Sequence, residues 1–371
     1  MSAVWPITGW AADFSFEKHW ELPIPLQGEA PASFSDLEKS LHPEDCGTCH
    51  EQQLADWEKS RHGRSMGPGV VGQLGKPWLD ESTTELCLDC HAPLGEQRIF
   101  SKATGYGPNR HQDPKLTAKG LVCAACHVRG HKRFGPTPKG ERIEDPPHGG
   151  FVEAPDFGNS EFCRPCHQFE PTDNRVDGKL LEDTYEQWKA SRYAKEGVQC
   201  ANCHMPGRRH LWKGIHDAEM VKKGLKIETE RTGSKLRVTV VNSGVGHLFP
   251  TYVTPQVKVE AHVLEGDKIK VVGADYIGWF IELNLSGSRY DTRIPPDGKW
   301  ETTFAIPEGV EKGFFQVTIT VYPDEFYNRF FNSLANNPPQ GVDIKKIKAA
   351  LRETESSSYV LYKKSWRLGE R

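Results

Sequence analysis

The stretch Cys46-Gly-Thr-Cys49-His50 decides how this chain folds, because its pattern recurs four more times before residue 205. The other copies are Cys87-Leu-Asp-Cys90-His91, Cys123-Ala-Ala-Cys126-His127, Cys163-Arg-Pro-Cys166-His167 and Cys200-Ala-Asn-Cys203-His204. We number them motif 1 to motif 5 in chain order. All ten cysteines of the chain fall in these motifs, whereas composition alone predicts roughly 0.01 such motifs. One kind of chemistry is therefore repeated along the first part of the chain.

Cys-x-x-Cys-His is the attachment pattern of c-type haem, in which two thiols form thioethers and the histidine binds iron. A disulfide framework needs no histidine after every second cysteine and is typical of much shorter chains. Zinc ribbons use two cysteine pairs per metal, which leaves one pair of five over, and thioredoxin-like motifs do not come in fives. The sequence therefore predicts five covalently attached haem c groups. The attachment residues are Cys46, Cys49, Cys87, Cys90, Cys123, Cys126, Cys163, Cys166, Cys200 and Cys203, and the proximal iron ligands are His50, His91, His127, His167 and His204.

Composition limits the remaining possibilities. The chain has 371 residues, a formal net charge of −3 and only 37% hydrophobic residues. Its length suggests two or three domains, the near-neutral charge argues against nucleic-acid binding, and no apolar stretch is long enough to span a bilayer. Val4–Trp10 is too short for the apolar part of a signal peptide, so we expect a chain that is soluble as written or whose export signal has been removed. Five porphyrins would supply the apolar area that the low hydrophobic content lacks.

Residues 1–220 are expected to form an irregular, mainly α-helical pentahaem domain. Helical spacing of apolar and aromatic residues predicts helices over Glu51–Arg61 and Glu182–Ala194. These helices repeat a pattern, since Trp-x-x-Ser-Arg occurs at 57–61 and again at 188–192. The residue that follows is His62 in the first copy and Tyr193 in the second.

Residues 221–371 have a different sequence pattern and are expected to form an antiparallel, β-sandwich-like domain with a short helix. The helix is predicted over Ile344–Glu353. Alternating, β-branched runs predict strands at Lys235–Val241, Gln256–Leu264, Lys268–Val272, Ile277–Leu285, Lys299–Ala305, Phe315–Val321 and Ser358–Trp366.

The second axial ligand of each iron decides between an electron carrier and an enzyme. Ten histidines lie outside the motifs, while Met1 is terminal and Met205 directly follows a motif histidine. Ligation by two histidines is therefore expected for most of the irons, which lowers their reduction potentials relative to Met/His ligation.

The chain resembles the multihaem cytochrome family that contains the tetrahaem carrier of ammonia oxidisers and the hydroxylamine oxidoreductases. The resemblance covers roughly residues 45–255 and rests on short motifs. These are the Trp-x-x-Ser-x-His run ending at His62, a histidine shortly after motif 3, Cys-His-Met-Pro followed by His210 and Gly-Ile-His216, and Asn-Ser-Gly-Val-Gly-His247-Leu-Phe-Pro-Thr. Like other proteins with haem c, a member of this family is expected to be exported, to the periplasm or the cell exterior.

Carried over to this chain, the resemblance implies His62 as the distal ligand of the third haem and His131 as that of the first. His148, which precedes motif 4, and His247, which follows Gly244 and Gly246, are further distal candidates. Of the neighbouring pair we favour His216 and keep His210 in reserve. The remaining histidines are expected to be ordinary packed or solvated residues: His19, His42, His111 and His262.

Three functions remain open on the sequence alone. The first is a pentahaem carrier that passes single electrons between redox partners, such as other cytochromes, quinol-linked membrane modules or terminal reductases. The second is a reductase or oxidase of a small nitrogen or sulfur oxyanion at one five-coordinate haem, with Tyr193 over the open face of the iron. The third is a subunit of a conductive polymer. The second is disfavoured because the Cys-x-x-Cys-Lys motif of pentahaem nitrite reductases is absent and hydroxylamine oxidoreductases need more haems than five motifs can hold.

Overall fold

The structure, a computed structural model, describes residues 14–138 and 146–369 of the chain. Val4–Trp10, considered above as a signal segment, lies outside the described residues. The α-helices are short, and we label them in chain order as α1 (Phe16–His19), α2 (Asp36–Lys39), α3 (Pro43–Gly47), α4 (Glu51–Trp57), α5 (Pro68–Val71), α6 (Glu81–His91), α7 (Pro114–Thr117), α8 (Cys123–His127), α9 (Arg164–His167), α10 (Thr184–Ala190), α11 (Arg192–Lys195), α12 (Cys200–His204), α13 (Ala218–Gly224), α14 (Glu325–Asn336) and α15 (Ile344–Ser356). Single turns of 3-10 helix occur at His62–Arg64, Gly95–Gln97, Lys102–Thr104, Pro147–Gly149, Pro155–Gly158, Ser160–Cys163 and Pro206–Arg208.

The long β-strands follow motif 5. In chain order the strands are β1 (Phe100–Ser101), β2 (Gly107–Pro108), β3 (Val128–Arg129), β4 (Lys132–Gly135), β5 (Val152–Glu153), β6 (Arg175–Val176), β7 (Lys179–Leu180), β8 (Leu225–Thr232), β9 (Lys235–Asn242), β10 (Gln256–Glu265), β11 (Lys268–Ile281), β12 (Ser288–Asp291), β13 (Lys299–Ala305), β14 (Phe314–Tyr322) and β15 (Tyr359–Arg367). The predicted antiparallel sheet region at the end of the chain is confirmed.

The chain forms two compact units, each built from three separate stretches. Unit 1 contains described residues of Met1–Gly67, Leu79–Pro165 and Met205–Trp212, and unit 2 those of Pro68–Trp78, Cys166–His204 and Lys213–Arg371. Motifs 1, 2 and 3 belong to unit 1 and motif 5 to unit 2, while motif 4 contributes residues to both. The predicted domain boundary after residue 220 stays a prediction. It is placed where the sequence pattern changes, whereas the two units are defined by contacts in space.

The two larger antiparallel sheets of unit 2 share a hydrophobic core. One sheet has the strand order β12-β11-β10-β14-β15 and the other the order β13-β9-β8. Alternate residues along β10 and β14 face inward, so that Val257, Val259, Val317 and Ile319 are almost completely buried. They share a core with residues of β9 such as Leu236. Alternation along the strands therefore produces this core directly from the sequence.

Neighbouring phenylalanines at the start of β14 allow a matched test of this core. Phe315 is fully buried, whereas Phe314 is 46% exposed. We expect Phe315→Ala to lower the free energy of unfolding by about 3–5 kcal/mol because it leaves a cavity. Phe314→Ala is expected to change it by only about 0.5 kcal/mol. Denaturant unfolding of both variants measures the difference, and equal effects would contradict the assignment of the inward face.

Several predicted element boundaries were wrong. The two strands predicted at Lys268–Val272 and Ile277–Leu285 are one strand, β11, which pairs with β10 across an irregularity between Ala261 and His262. An extra residue at that irregularity lets a single strand continue where the alternation shifts. The sequence analysis also missed β8, β12 and α14.

Each of the two predicted long helices ends early at a serine. After α4, the Ser60 hydroxyl donates to the Trp57 carbonyl at 2.7 Å, and the next turn is a 3-10 helix. Between α10 and α11, Ser191 is extended and its hydroxyl donates to the Trp188 carbonyl at 2.6 Å. A serine hydroxyl competes with the backbone for such carbonyls, which explains both interruptions.

Unit 1 has a smaller apolar core and many short elements. Ile24, Leu94, Leu116 and Ala124 are essentially inaccessible to solvent and belong to one cluster. A buried ion pair of Arg98 with Glu85 fixes the loop that follows α6. Among the described residues, no helix is long and apolar enough to cross a membrane.

Candidate haem-attachment sites

Four of the five motif histidines are the last residue of a short helix, whereas His50 of motif 1 lies between α3 and α4. Motifs 3 and 5 form the one-turn helices α8 and α12, motif 2 ends α6, and the second half of motif 4 forms α9. In a helix, residues i, i+3 and i+4 share one face, so both thiols and the imidazole can reach one group. None of the ten cysteines forms a disulfide. No group of three or more His, Cys, Asp or Glu residues in the described chain is arranged to hold a metal ion.

Backbone carbonyls fix the orientation of three motif histidines. Nδ1 of His91 donates to the Ser65 carbonyl at 2.5 Å, and Nδ1 of His127 to the Phe134 carbonyl at 2.8 Å. Nδ1 of His204 bonds in the same way to the Lys213 carbonyl. A hydrogen bond at Nδ1 sets the tautomer in which Nε2 is the metal-binding nitrogen. Nε2 is therefore the nitrogen that each of these three imidazoles could offer to iron.

Two motif histidines each face a histidine from another part of the chain. The ring centroids of His204 and His247 are 6.3 Å apart with an interplanar angle of 13°, and those of His127 and His210 are 6.1 Å apart at 39°. Two imidazoles that bind one metal through Nε2 from opposite sides, with bonds of about 2 Å, have centroids roughly 6 Å apart. Both separations fit a pair of axial ligands.

The distal partners are oriented in the same way as the motif histidines. Nδ1 of His247 bonds to the Leu248 carbonyl at 2.8 Å, and Nδ1 of His210 to the Arg208 carbonyl at 3.1 Å. His148 follows the same rule, with Nδ1 on the Gly150 carbonyl at 2.8 Å.

Burial keeps the paired imidazoles neutral. It is the main cause that lowers the pKa of His127 to about 4 and the pKa of His247 to about 4. Burial also lowers the pKa values of His204 and His210. Neutral imidazole is the form that binds a metal ion, so these histidines need not lose a proton first.

Nε2 of two predicted distal ligands is already engaged by other groups. Nε2 of His131 lies 3.0 Å from the Gly28 carbonyl, and Nε2 of His216 lies 3.0 Å from both carboxylate oxygens of Asp324. His210, which the sequence analysis kept in reserve, is the member of its pair that faces a motif histidine.

The four histidines expected to be ordinary residues also have Nε2 engaged. Their Nε2 partners are the Cys126 carbonyl for His19, Asp113 for His42, Arg110 for His111 and Glu260 for His262. Among these four, His19 is a buried neighbour of motif 3.

His62 and Tyr193, which occupy equivalent positions in the repeated helices, have different surroundings. The His62 ring packs against Trp212 with centroids 4.5 Å apart. The Tyr193 hydroxyl donates to the Ser243 carbonyl at 3.1 Å, and its ring lies against Gly246. Tyr193 therefore packs on the segment that carries His247, which is the ordinary structural role.

Contacts between motifs show which attachment sites are neighbours. In unit 1, the side chains of Cys46 and Cys123 lie close enough to interact, so motifs 1 and 3 are neighbours. The pKa of His50 is lowered mainly by burial and also by the nearby His148, so these two histidines are neighbours. In unit 2, His167 acts in the same way on His204 and His247.

The residues present therefore fit haem c. Cysteine pairs that form no disulfide precede the motif histidines, and two of these histidines face a second, neutral imidazole at a separation suited to one iron. The motif cysteines would hold the group covalently, and the paired histidines would bind its iron.

Comparison with known proteins agrees with this conclusion. The family described as "Cytochrome c554 and c-prime" matches residues 45–128. A "Cytochrome c-552" of Aliarcobacter butzleri is 27% identical over 186 residues, which are 46% of this chain and 36% of that protein. A "Cytochrome c nitrite reductase subunit NrfA" of Nitratidesulfovibrio vulgaris is 25% identical over 263 residues, or 61% of this chain and 48% of that protein. The chain thus spans less than half the length of these curated relatives.

A solved structure shares the fold. The penta-heme cytochrome c552 from Thermochromatium tepidum superposes with a TM-score of 0.61 at 16% sequence identity. The match covers 90% of this chain and 100% of that chain. Together with the motifs and the geometry of their histidines, these matches show that the chain is similar to multihaem c-type cytochromes.

Proposed function

We propose that the chain is an exported electron carrier that holds five haem c groups, one at each motif. The two facing histidine pairs carry this proposal. Haem c supplies one-electron redox chemistry at its iron. His127 with His210, and His204 with His247, would occupy both axial positions and leave no place for a substrate. Such sites favour electron transfer over bond-making chemistry.

The orientation of the histidines supports a revised set of distal ligands. We assign His210 to motif 3 and His247 to motif 5 from their separations, and His148 to motif 1 from its proximity to His50. His62 serves one of the remaining two motifs. We no longer assign His131 and His216, because their Nε2 atoms are hydrogen-bonded to other groups.

The neighbouring motifs support transfer along a chain of sites. Motif 1 adjoins motif 3 in unit 1, and the motif 4 histidine adjoins the His204–His247 pair in unit 2. The protein sets the spacing and the potentials, while the redox chemistry belongs to the cofactor. The partners would be other redox proteins outside the cytoplasm.

A second function, reduction of a small nitrogen or sulfur oxyanion, is favoured by one observation. Four distal candidates remain for five motifs: His62, His148, His210 and His247. One iron would then keep an open position. A relative named as a nitrite reductase subunit is consistent with this function, although the Cys-x-x-Cys-Lys motif of such enzymes is absent here.

Carbon monoxide binding measures how many irons lack a second histidine ligand. We expect the reduced protein to bind one carbon monoxide per chain, because four of the five irons have two imidazole ligands. A spectrophotometric titration measures the ratio. No binding would mean that His131 or His216 also binds iron, and two or more would contradict the ligand assignment.

Addition of nitrite or hydroxylamine to the same reduced sample separates carrier from enzyme. A carrier is expected to reoxidise slowly, without sustained turnover under excess dye reductant. Sustained turnover at about 1 s⁻¹ or faster, the range of ordinary enzymes, would overturn the carrier proposal in favour of the reductase.

A further inference from the structure

The segment that carries His210 needs an external support. Gly207, Arg208 and Trp212 all have positive φ angles, of 68°, 67° and 40°. Positive φ is unfavourable for residues with a side chain, so Arg208 and Trp212 are strained. Such a segment keeps one shape only when its surroundings impose it.

Asp56 of α4 supplies that support. Its carboxylate is buried and accepts hydrogen bonds from Arg209 at 2.5 and 2.6 Å and from the backbone N–H of His210 at 3.0 Å. Gln52, one turn earlier, also donates to it at 3.0 Å. Bonds to a buried carboxylate are among the stronger ones in proteins.

The next residue, Trp57, binds the segment that leads into motif 3. Its indole Nε1 donates to the Leu121 carbonyl at 2.7 Å, and Leu121 lies two residues before Cys123 of motif 3. Adjacent residues of one helix therefore fix the segment of the motif histidine and the segment of the histidine that faces it.

The same arrangement occurs independently in unit 2. Trp188 of α10 donates to the Val198 carbonyl at 2.9 Å, and Val198 lies two residues before Cys200 of motif 5. The side-chain oxygen of Gln187 accepts from the N–H of Leu248, next to His247, at 3.1 Å. It also accepts from the Thr251 hydroxyl at 3.0 Å.

We propose that the pairs Asp56–Trp57 and Gln187–Trp188 are positioning residues that set the separation of the two axial histidines at motifs 3 and 5. The tryptophan fixes the motif segment, and the residue before it fixes the distal segment. This inference rests on the proposed ligation by His210 and His247. The repeat in the sequence thus corresponds to a repeated support for haem ligation.

Substitution of the residue before each tryptophan tests the proposal. We expect Asp56→Ala to let the iron of motif 3 become partly high spin, and Gln187→Ala to do so at motif 5. Carbon monoxide bound per reduced chain should rise above the wild-type ratio by up to one in each variant. Electron paramagnetic resonance and carbon monoxide titration of the holoprotein measure both effects.

Three further variants separate positioning from general stability. Gln187→Glu keeps an acceptor oxygen and should restore the wild-type spectrum. Glu186→Ala, at an exposed position of the same helix, should leave the spectrum unchanged. The double variant Asp56→Ala/His210→Ala should show no more high-spin iron and bind no more carbon monoxide than His210→Ala alone, because both changes act on one ligand.

The outcomes distinguish this inference from the proposed function. If His210→Ala opens an iron but Asp56→Ala keeps the wild-type spectrum, the positioning role is refuted while the ligation stands. If His210→Ala itself leaves every iron low spin, the ligand assignment fails and the inference fails with it. A larger effect in the double variant than in His210→Ala would also refute the positioning role.

Discussion

His247→Ala is expected to convert the iron of motif 5 from low spin to high spin. The imidazole that faces His204 at 6.3 Å would be lost, and alanine cannot bind iron. Since an iron bond would then no longer anchor the loop between β9 and β10, the free energy of unfolding should fall by about 2–4 kcal/mol. Electron paramagnetic resonance and thermal unfolding of the holoprotein measure the two effects.

His262→Ala is the matched control for that variant. His262 lies in the same unit, and its Nε2 is 3.4 Å from Glu260. We expect its haem spectra to be those of the wild type. If His247→Ala also left haem spectra and thermal unfolding unchanged, His247 would not be a ligand and would not anchor this loop.

Cys200→Ala/Cys203→Ala is expected to remove one covalent haem, because motif 5 would lose both thioether bonds. The paired imidazoles of unit 2 would then have no iron to share, so unit 2 should unfold at a lower temperature. Intact-protein mass and the ratio of haem to protein measure the first effect. Ala201→Ser, between the same cysteines, should retain every haem. If covalent haem added as much mass to the double variant as to the wild type, attachment at motif 5 would be ruled out.

The attachment residues could be predicted from sequence because each set is contiguous. Cys123 and His127 are four residues apart, so one helical turn brings them together whatever the rest of the chain does. The β region could be predicted for a similar reason, since alternation along a strand is local. Motif spacing and strand period need no knowledge of distant contacts.

The distal ligands could not be ranked from sequence, because their ranking depends on distant partners. His210 and His216 both lie shortly after motif 5, but Asp324, which binds His216, is 108 residues away from it. Asp56, which fixes the His210 segment, is 154 residues from it. Only the repeated Trp-x-x-Ser-Arg pattern hinted that the residues around Trp57 and Trp188 share a role.

Missed and merged elements have local explanations as well. β8 is half exposed, so charged residues at its outward positions weaken the apolar pattern. α14 begins only two residues after the end of β14, and its aromatic residues are compatible with either a helix or a strand. At β11 an irregularity in pairing shifts the alternation within a single strand.

The mass of the mature, unreduced protein tests the central claim most directly. We expect intact-protein mass spectrometry to show the polypeptide plus five thioether-linked haems, retained under denaturing conditions. A bare polypeptide, zinc in place of iron, or haem that is lost on denaturation would contradict covalent attachment at the motifs.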